Sequence, residues 1–240
     1  LNNDREKYEE FYKGFGLQLK YGMYADYGMH KDVLKDLVLF YSSSEEKLVT
    51  LKEYVSRMKE GQTSIYYACG DAVERIAKLP QTEMLKDKGY EILYLTDNVD
   101  EFALKMLQTY DEKDFKNISS DDLGLETEEE KKEAEKQVED NKGLLDFMTE
   151  ALDGKVKAVR LSQRLKSHPV CISSEGAITL DMEKVLNAMP ATEKVQAQRV
   201  LELNANHPIF AKLTQLFEND QEKLKTYSQL LYTQAMMNEG

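Results

Sequence analysis

The chain has 240 residues, of which 32 are Lys or Arg and 44 are Asp or Glu, so its formal net charge at pH 7 is −12. This length suits one large domain or two small ones, and a hydrophobic fraction of 41% excludes the intrinsically disordered class. An acidic surface repels phosphate backbones and anionic lipids, so neither nucleic acid nor a membrane is expected as a partner.

The cysteine count indicates a reducing compartment. Cys69 and Cys171 are the two cysteines, too few for a disulfide scaffold, and a cytoplasmic location is therefore expected. No run reaches the ~18 apolar residues of a membrane helix, and the first residues lack a signal-peptide pattern. A start at Leu1 in place of Met suggests a fragment of a longer protein.

The first fifty or so residues are predicted to form packed helices. Apolar side chains recur every three or four residues from Tyr8 to Met23, which is the spacing of an amphipathic helix. A second helix is predicted over 31–41, and a third begins near Thr50, where Glu53 completes a capping box. The first helix is expected to bury its whole stripe, formed by Tyr8, Phe11, Tyr12, Phe15, Leu19 and Met23.

The stretch that follows alternates between strand and helix patterns. Short apolar runs at 65–69, 90–95 and 115–118 predict strands, and the segments 72–79 and 97–107 between them have helical spacing. This βαβαβ order predicts parallel strands covered by helices, in three layers.

An acidic segment separates two halves of the chain. Residues 111–140 carry 13 acidic and 5 basic side chains, a net charge of 5 − 13 = −8. We therefore place the domain boundary there, with one domain over 1–124 and a second over 125–240. The segment Glu128–Asp140 is expected to be a solvated helix or linker.

The second half is also predicted to be α/β, with a helical C-terminus. Its predicted strands are 155–161, 170–173 and 199–203. A helical stripe continues from the acidic segment through Val138, Leu145, Met148 and Leu152 up to Gly154, and further helices are predicted over 180–189, 208–217 and 221–237. The fold class is therefore mixed α/β, with two small domains.

Sequence motifs of catalysis are not found. The chain has neither a phosphate-binding glycine loop nor a nucleophile elbow, and its histidines at 30, 168 and 207 are scattered. No catalytic or metal-binding residue is predicted. The cationic stretch Lys155–Lys166 is interpreted as a solvated strand face and loop, because no aromatic residues interleave with it for base stacking.

One predicted helix of the second half carries a methionine-containing face. Met182, Val185, Leu186 and Met189 follow the i, i+3, i+4, i+7 spacing. Two interpretations remain open: an ordinary core face, or an exposed and adaptable binding patch of the kind for which Met is over-used.

The last predicted helix has an apolar stripe wider than one short neighbour would cover. Either its own domain or a second copy of the chain, in a two-fold helix bundle, is expected to cover it. The stripe consists of Leu224, Tyr227, Leu230, Leu231, Ala235 and Met236.

Several long segments together resemble one family. The segment YVSRMKEGQTSIYYACGD begins at Tyr54, and GYEILYLTDNVDEF begins at Gly89. With Val159-Arg160-Leu161-Ser162 and Leu201-Glu202-Leu203-Asn204 in the same order, the chain resembles the heat-shock protein 90 chaperone family in its bacterial HtpG branch.

This resemblance implies how the chain is organised and what it does. Residues 1–124 would be the later part of the family's middle domain, and 125–240 most of its C-terminal dimerisation domain, without the last helix. The ATP-binding domain would be absent, so ATP and Mg²⁺ would belong to the parent protein and this fragment would need no cofactor and hydrolyse no ATP.

The resemblance also implies partners and site residues. Unfolded or partly folded client proteins would bind the amphipathic helix at Leu180, Met182, Val185, Leu186 and Met189. The stripe from Leu224 to Met236 would lie in the dimer interface, although pairing of this shorter chain stays open. The alternatives are a nucleotide-dependent α/β enzyme with a site where the strand order reverses, and a purely structural dimerisation module.

Overall fold

The computed structural model describes residues 4–25, 27–120, 122–190 and 193–239, in two compact units. The first unit contains Leu1–Ala77 and Gly89–Ile118, and the second contains Lys78–Lys88 and Ser119–Gly240. The chain therefore passes between the units three times. Both units combine helices with a sheet, which confirms the predicted mixed α/β class.

The bounds of the helices and strands are as follows. The helices of the described residues are α1 (Arg5–Tyr24), α2 (Lys31–Leu34), α3 (Leu51–Ser56), α4 (Val73–Ile76), α5 (Glu83–Asp87), α6 (Asp100–Leu107), α7 (Glu128–Asp140), α8 (Lys142–Ala151), α9 (Leu180–Ala188), α10 (Pro208–Asn219) and α11 (Gln221–Glu239). The strands are β1 (Leu39–Ser42), β2 (Leu48–Thr50), β3 (Ser64–Cys69), β4 (Ile92–Leu95), β5 (Thr109–Tyr110), β6 (Lys113–Asn117), β7 (Ala158–Leu161), β8 (Val170–Glu175) and β9 (Gln198–Leu203). A short 3-10 helix covers Pro80–Thr82.

The first unit contains a mixed sheet in the order β2-β1-β4-β3-β6-β5. β3 runs parallel to both β4 and β6, with Tyr66 opposite Ile92 and Ile65 opposite Phe115, which confirms the predicted parallel βαβαβ core. β1 pairs antiparallel with β4 and with β2, and β5 pairs antiparallel with β6. These antiparallel strands were not predicted.

The helix predicted over 31–41 is wrong beyond Leu34. The chain turns there, and the apolar run that follows enters the sheet as β1, where Leu39 and Phe40 are fully buried. A short apolar run satisfies helix and strand periods equally, and tertiary pairing with β4 decides between them.

The predicted first helix is confirmed as α1, but its buried face differs from the predicted stripe. Phe11 and Phe15 are exposed and stack on each other, whereas Gly16 and Lys20 are buried together with Tyr12 and Met23. The buried face is rotated toward Lys20 because its ammonium group finds carboxylate partners in the first unit, a contact that a hydrophobic pattern cannot indicate.

The second unit is built on a three-stranded sheet in the order β7-β9-β8. β7 runs parallel to β9 and β8 antiparallel to it. The core of this unit joins the sheet to α8, α10 and α11 through Leu145, Met148, Ile172, Leu201, Leu213 and Leu231. α7 begins with a Thr127–Glu130 capping box and has no buried residue, as predicted for a solvated helix.

Candidate functional site

Helix α9 lies in the second unit, and residues next to it in the sequence determine where it begins and ends. Thr179 caps it, because its hydroxyl accepts the Met182 N–H at 3.2 Å. The backbone is extended at Met189, and Pro190 follows, so the helix cannot continue. The predicted helix over 180–189 therefore agrees with the structure to within one residue.

The apolar side chains of α9 become steadily more exposed along the helix. Leu180 and Met182 are buried, with exposed fractions of 6% and 8%. Val185 and Leu186 are half-buried, and Met189 is 49% exposed. The first turn is thus part of the core, while the last turn offers apolar surface to solvent.

Polar side chains on another flank fix α9 to the chain that follows it. Glu183 accepts hydrogen bonds from the Arg199 guanidinium at 2.9 Å and from the Ala197 N–H at 2.8 Å. Asn187 bonds both the N–H and the carbonyl oxygen of Val195, at 3.0 and 2.8 Å. These hydrogen bonds fix α9 within its own unit. Its half-buried apolar side chains, Val185 and Leu186, are therefore held in place without a bound partner.

Helix α11 packs most of its predicted apolar stripe against the core of its own unit. Three of the predicted interface residues, Leu224, Leu231 and Ala235, are buried in the core of the second unit itself. Tyr227 and Met236 are partly buried against the same core, whereas Leu230 is exposed.

Met237 lies seven residues after Leu230 and is also exposed, but it was not among the predicted interface residues. The i, i+7 spacing of two large apolar residues was the signal that would have found it. Leu230 and Met237 are the outward-facing apolar residues of this helix.

The end of α11 is tied to two other segments of the second unit. The Gln81 side-chain amide donates to the Ile172 carbonyl oxygen at 2.7 Å and to the Glu239 carboxylate. The Lys184 ammonium of α9 donates to the Glu239 carbonyl oxygen at 3.1 Å. Burial raises the pKa of the Glu239 carboxyl to about 7, against the lowering effect of the Gln81 hydrogen bond.

Four cationic side chains in and beside β7 and in the loop after it pair with acidic neighbours. Lys157 and Arg160 both contact Glu175, at 2.9 and 2.6 Å. Arg164 pairs with the buried Glu202 at 3.1 Å, and Lys166 pairs with Asp87. Cations engaged in this way form no free basic surface for a phosphate backbone.

The residues that the structure describes contain neither a metal-binding cluster nor a membrane-spanning helix. Within the part of the chain that the structure describes, no group of three His, Cys, Asp or Glu side chains is arranged to hold a metal ion. Over the same residues, no helix is both long and apolar enough to cross a bilayer. Burial raises the pKa of the Cys171 thiol well above its ordinary value, so this thiol is not activated as a nucleophile.

Comparison with known proteins gives a consistent result. The sequence matches the family model described as Hsp90 protein over residues 1–240. The Chaperone protein HtpG of Clostridium acetobutylicum is 59% identical over 238 residues, which are 99% of this chain and 38% of the relative. The Bacillus subtilis and Shouchella clausii proteins of the same name are 58% and 61% identical, over 100% and 98% of this chain and 38% and 37% of their own lengths. The chain thus spans between a third and two fifths of these relatives.

Proposed function

Because the chain belongs to the Hsp90 family, we propose that it is a part of a molecular chaperone that binds non-native client proteins and provides a dimer scaffold. In the longer protein this part would serve an ATP-driven clamp. Residues 1–124 would be the later part of the middle domain and 125–240 most of the C-terminal domain. The chain works by binding, without bond chemistry of its own.

The observation that carries the client-binding proposal is the exposure gradient along α9. The apolar side chains of α9 begin inside the core at Leu180 and end in solvent at Met189. An unfolded client segment would pack against the exposed end of this strip. Each apolar side chain that a client buries fully contributes about 1.5–3 kcal/mol before ordering costs are subtracted. The site is therefore suited to weak, broad and rapidly exchanging association.

The dimer-scaffold proposal rests on α11. Leu230 and Met237 would contact a second copy of the chain, while Leu224, Leu231 and Ala235 would support the helix from inside the unit. Tyr227 and Met236, which are partly buried, would lie at the edge of such an interface.

Cofactor and location follow from the same proposal. ATP and Mg²⁺ would act in the parent protein, and this chain would bind neither, in the cytoplasm. Calorimetric titration of the chain with ATP and Mg²⁺ is expected to give no binding heat. Saturable binding at micromolar concentration would contradict this part of the proposal and favour a nucleotide-dependent enzyme.

The client site is tested by titration with a labelled, persistently unfolded protein. The variant Leu186→Ser with Met189→Ser changes the outer part of the strip and leaves the buried Met182 in place. Its dissociation constant for the client is expected to rise at least tenfold, with an unchanged circular dichroism spectrum. The control is Val138→Ser, which removes an exposed apolar side chain from α7, outside both proposed surfaces.

The outcomes of the titration decide whether α9 carries the client site. A loss confined to the α9 variant supports a client site there. Equal binding by both folded variants and the unaltered chain would refute it. An absence of binding by the unaltered chain would instead support a purely structural dimerisation module.

A further inference from the structure

The Glu83 carboxylate is enclosed by a turn between β7 and β8. One oxygen, Oε2, accepts the backbone N–H groups of Lys166, Ser167 and His168 at 2.7, 3.0 and 3.4 Å. The other, Oε1, accepts the Ser167 hydroxyl and lies 2.8 Å from His168 Nδ1. Burial alone would raise the pKa of Glu83, but the Ser167 hydroxyl and the backbone donors outweigh it and lower the pKa to about 2.

The turn is held in this shape from behind by a residue that does not touch Glu83. Asn204 is buried, and its side-chain amide donates to the carbonyl oxygens of Lys166 and His168, each at 3.0 Å. Its own N–H donates to the Pro169 carbonyl oxygen at 2.9 Å. Because a trans peptide group points its C=O and N–H in opposite directions, the bond from Asn204 to the Lys166 carbonyl oxygen directs the Ser167 N–H away from Asn204, toward Glu83. Asn204 thus supports the turn through contacts that do not involve the Glu83 carboxylate.

Glu83 lies in a short segment of the second unit that interrupts the first unit along the sequence. Residues 78–88, here called the strap, belong to the second unit, whereas the chain before and after them belongs to the first. Within the second unit the strap is further attached by the Met84 N–H, which donates to the Arg164 carbonyl oxygen at 3.2 Å. Asp87 of the strap pairs with the Lys166 ammonium.

We propose that the Lys166–His168 turn is an oxyanion-binding site that Glu83 occupies as an internal ligand, so that the strap is a latch which a competing oxyanion releases. Consecutive backbone N–H groups that converge on one point form a concave anion site. The turn adds the Ser167 hydroxyl, the His168 imidazole and the nearby Lys166 ammonium. This set of donors can bind either a carboxylate or a phosphate. An internal ligand has a high effective concentration, so an external oxyanion displaces Glu83 only at concentrations well above those that fill the emptied turn.

The test empties the turn and offers it a small oxyanion. In the Glu83→Ala variant, titration with inorganic phosphate at constant ionic strength is expected to shift the amide resonances of Lys166, Ser167 and His168 to saturation. The unaltered chain is expected to bind phosphate at least tenfold more weakly. Acetate in a parallel titration distinguishes a site for carboxylates from one for phosphate, and chloride reports the effect of ionic strength alone.

Three further variants make the result specific. Glu218→Gln removes an exposed carboxylate of α10 and leaves the turn and the strap unaltered, and it is expected to behave as the unaltered chain does. Adding Asn204→Ala to Glu83→Ala is expected to abolish phosphate binding, because the turn loses its support. Glu83→Gln keeps the shape of the side chain without its charge, and should make the Met84 and Leu85 amides exchange at least tenfold faster.

Several results would overturn the proposal. A folded Glu83→Ala variant whose turn responds no differently to phosphate, acetate and chloride would show that the turn is not an anion site. Equally strong phosphate binding by the unaltered chain would show that Glu83 is no latch, as would unchanged strap exchange in Glu83→Gln. None of these measurements depends on client binding, so they succeed or fail separately from the function proposed above.

Discussion

Lys20 and Asp100 form an ion pair inside the first unit, with the ammonium nitrogen 2.7 Å from Oδ1 and exposed fractions of only 6% and 2% for the two side chains. Asp97 adds a second carboxylate 2.8 Å from the same ammonium, and the Phe40 ring centroid lies 5.0 Å from it. Burial disfavours the charge on Lys20, but Asp100 and its neighbours outweigh burial and raise the pKa of Lys20. The pair ties α1 to the start of α6.

Replacing Lys20 by Met is therefore expected to destabilise the first unit strongly. The substitution leaves Asp100 buried without its cation, and removing one partner of a buried pair costs about 3–5 kcal/mol. The loss of stability is measured by urea unfolding, with hydrogen exchange of the first-unit amides as the readout. Lys13→Met on the exposed side of the same helix is the control, and Lys20→Met with Asp100→Asn should recover part of the stability. A loss no larger than that of the control would contradict this account.

Two glycines of α1 are expected to respond in opposite ways to alanine. A Cβ at Gly16 would lie 2.5 Å from the Tyr12 ring, which cannot move away easily because its hydroxyl bonds both the N–H and the carbonyl oxygen of Leu39. Gly16→Ala should therefore destabilise the chain by about 1–3 kcal/mol. A Cβ at Gly14 meets nothing within 4 Å, so Gly14→Ala should stabilise it by up to about 1 kcal/mol. Thermal unfolding of both variants measures the difference, and equal effects would contradict it.

Elements with local signals were predicted from the sequence. The Thr50–Glu53 capping box is present at the start of α3, and the solvated helix predicted over Glu128–Asp140 is α7. Both depend on residues three positions apart or on charge within one segment. β1 was missed because its strand character comes from pairing with β4, whose residues lie some fifty positions further along the chain.

In the candidate sites, too, only the features with a local sequence signal could be predicted. The bounds of α9 could be predicted because Thr179 and Pro190 are local signals, but its burial gradient depends on neighbours that a helical spacing does not identify. The Glu83 site was missed altogether, since Glu83 and His168 are 85 positions apart. No sequence pattern indicates that three backbone N–H groups will meet a distant carboxylate.

The strap is expected to loosen in acid. The pKa of Glu83 is lowered to about 2 from an ordinary value near 4.5, so the unfolded chain binds the proton more readily. The stabilisation from Glu83 is therefore complete above about pH 4.5 and is lost as the pH falls toward 2. Hydrogen exchange of the Met84 and Leu85 amides, corrected for intrinsic rates, should accelerate over that range. Glu83→Gln should remove this pH dependence, and an unchanged profile in the variant would assign the acid sensitivity to another carboxylate.

The end of α11 is expected to show the opposite dependence on pH. Burial raises the pKa of Glu239 to about 7, so between about pH 4.5 and 7 the folded chain holds a proton that the unfolded chain has released. Stability at this end is therefore greatest below pH 4.5 and falls as the pH rises through 7. The charged groups that face Glu239 are Asp181, which raises its pKa, and Lys184, which lowers it.

Carbon-13 NMR of the Glu239 carboxyl measures this titration directly. Exchange of the amides at 235–239, compared at pH 5.5 and pH 8 after correction for intrinsic rates, measures its effect on the helix. Glu239→Gln should abolish the difference, because a neutral amide still bonds Gln81 without a charge to bury. A carboxyl that titrates near 4.5 would contradict the enclosure of Glu239, and would leave the Gln81 bond to Ile172 as the contact that fixes the strap at this point.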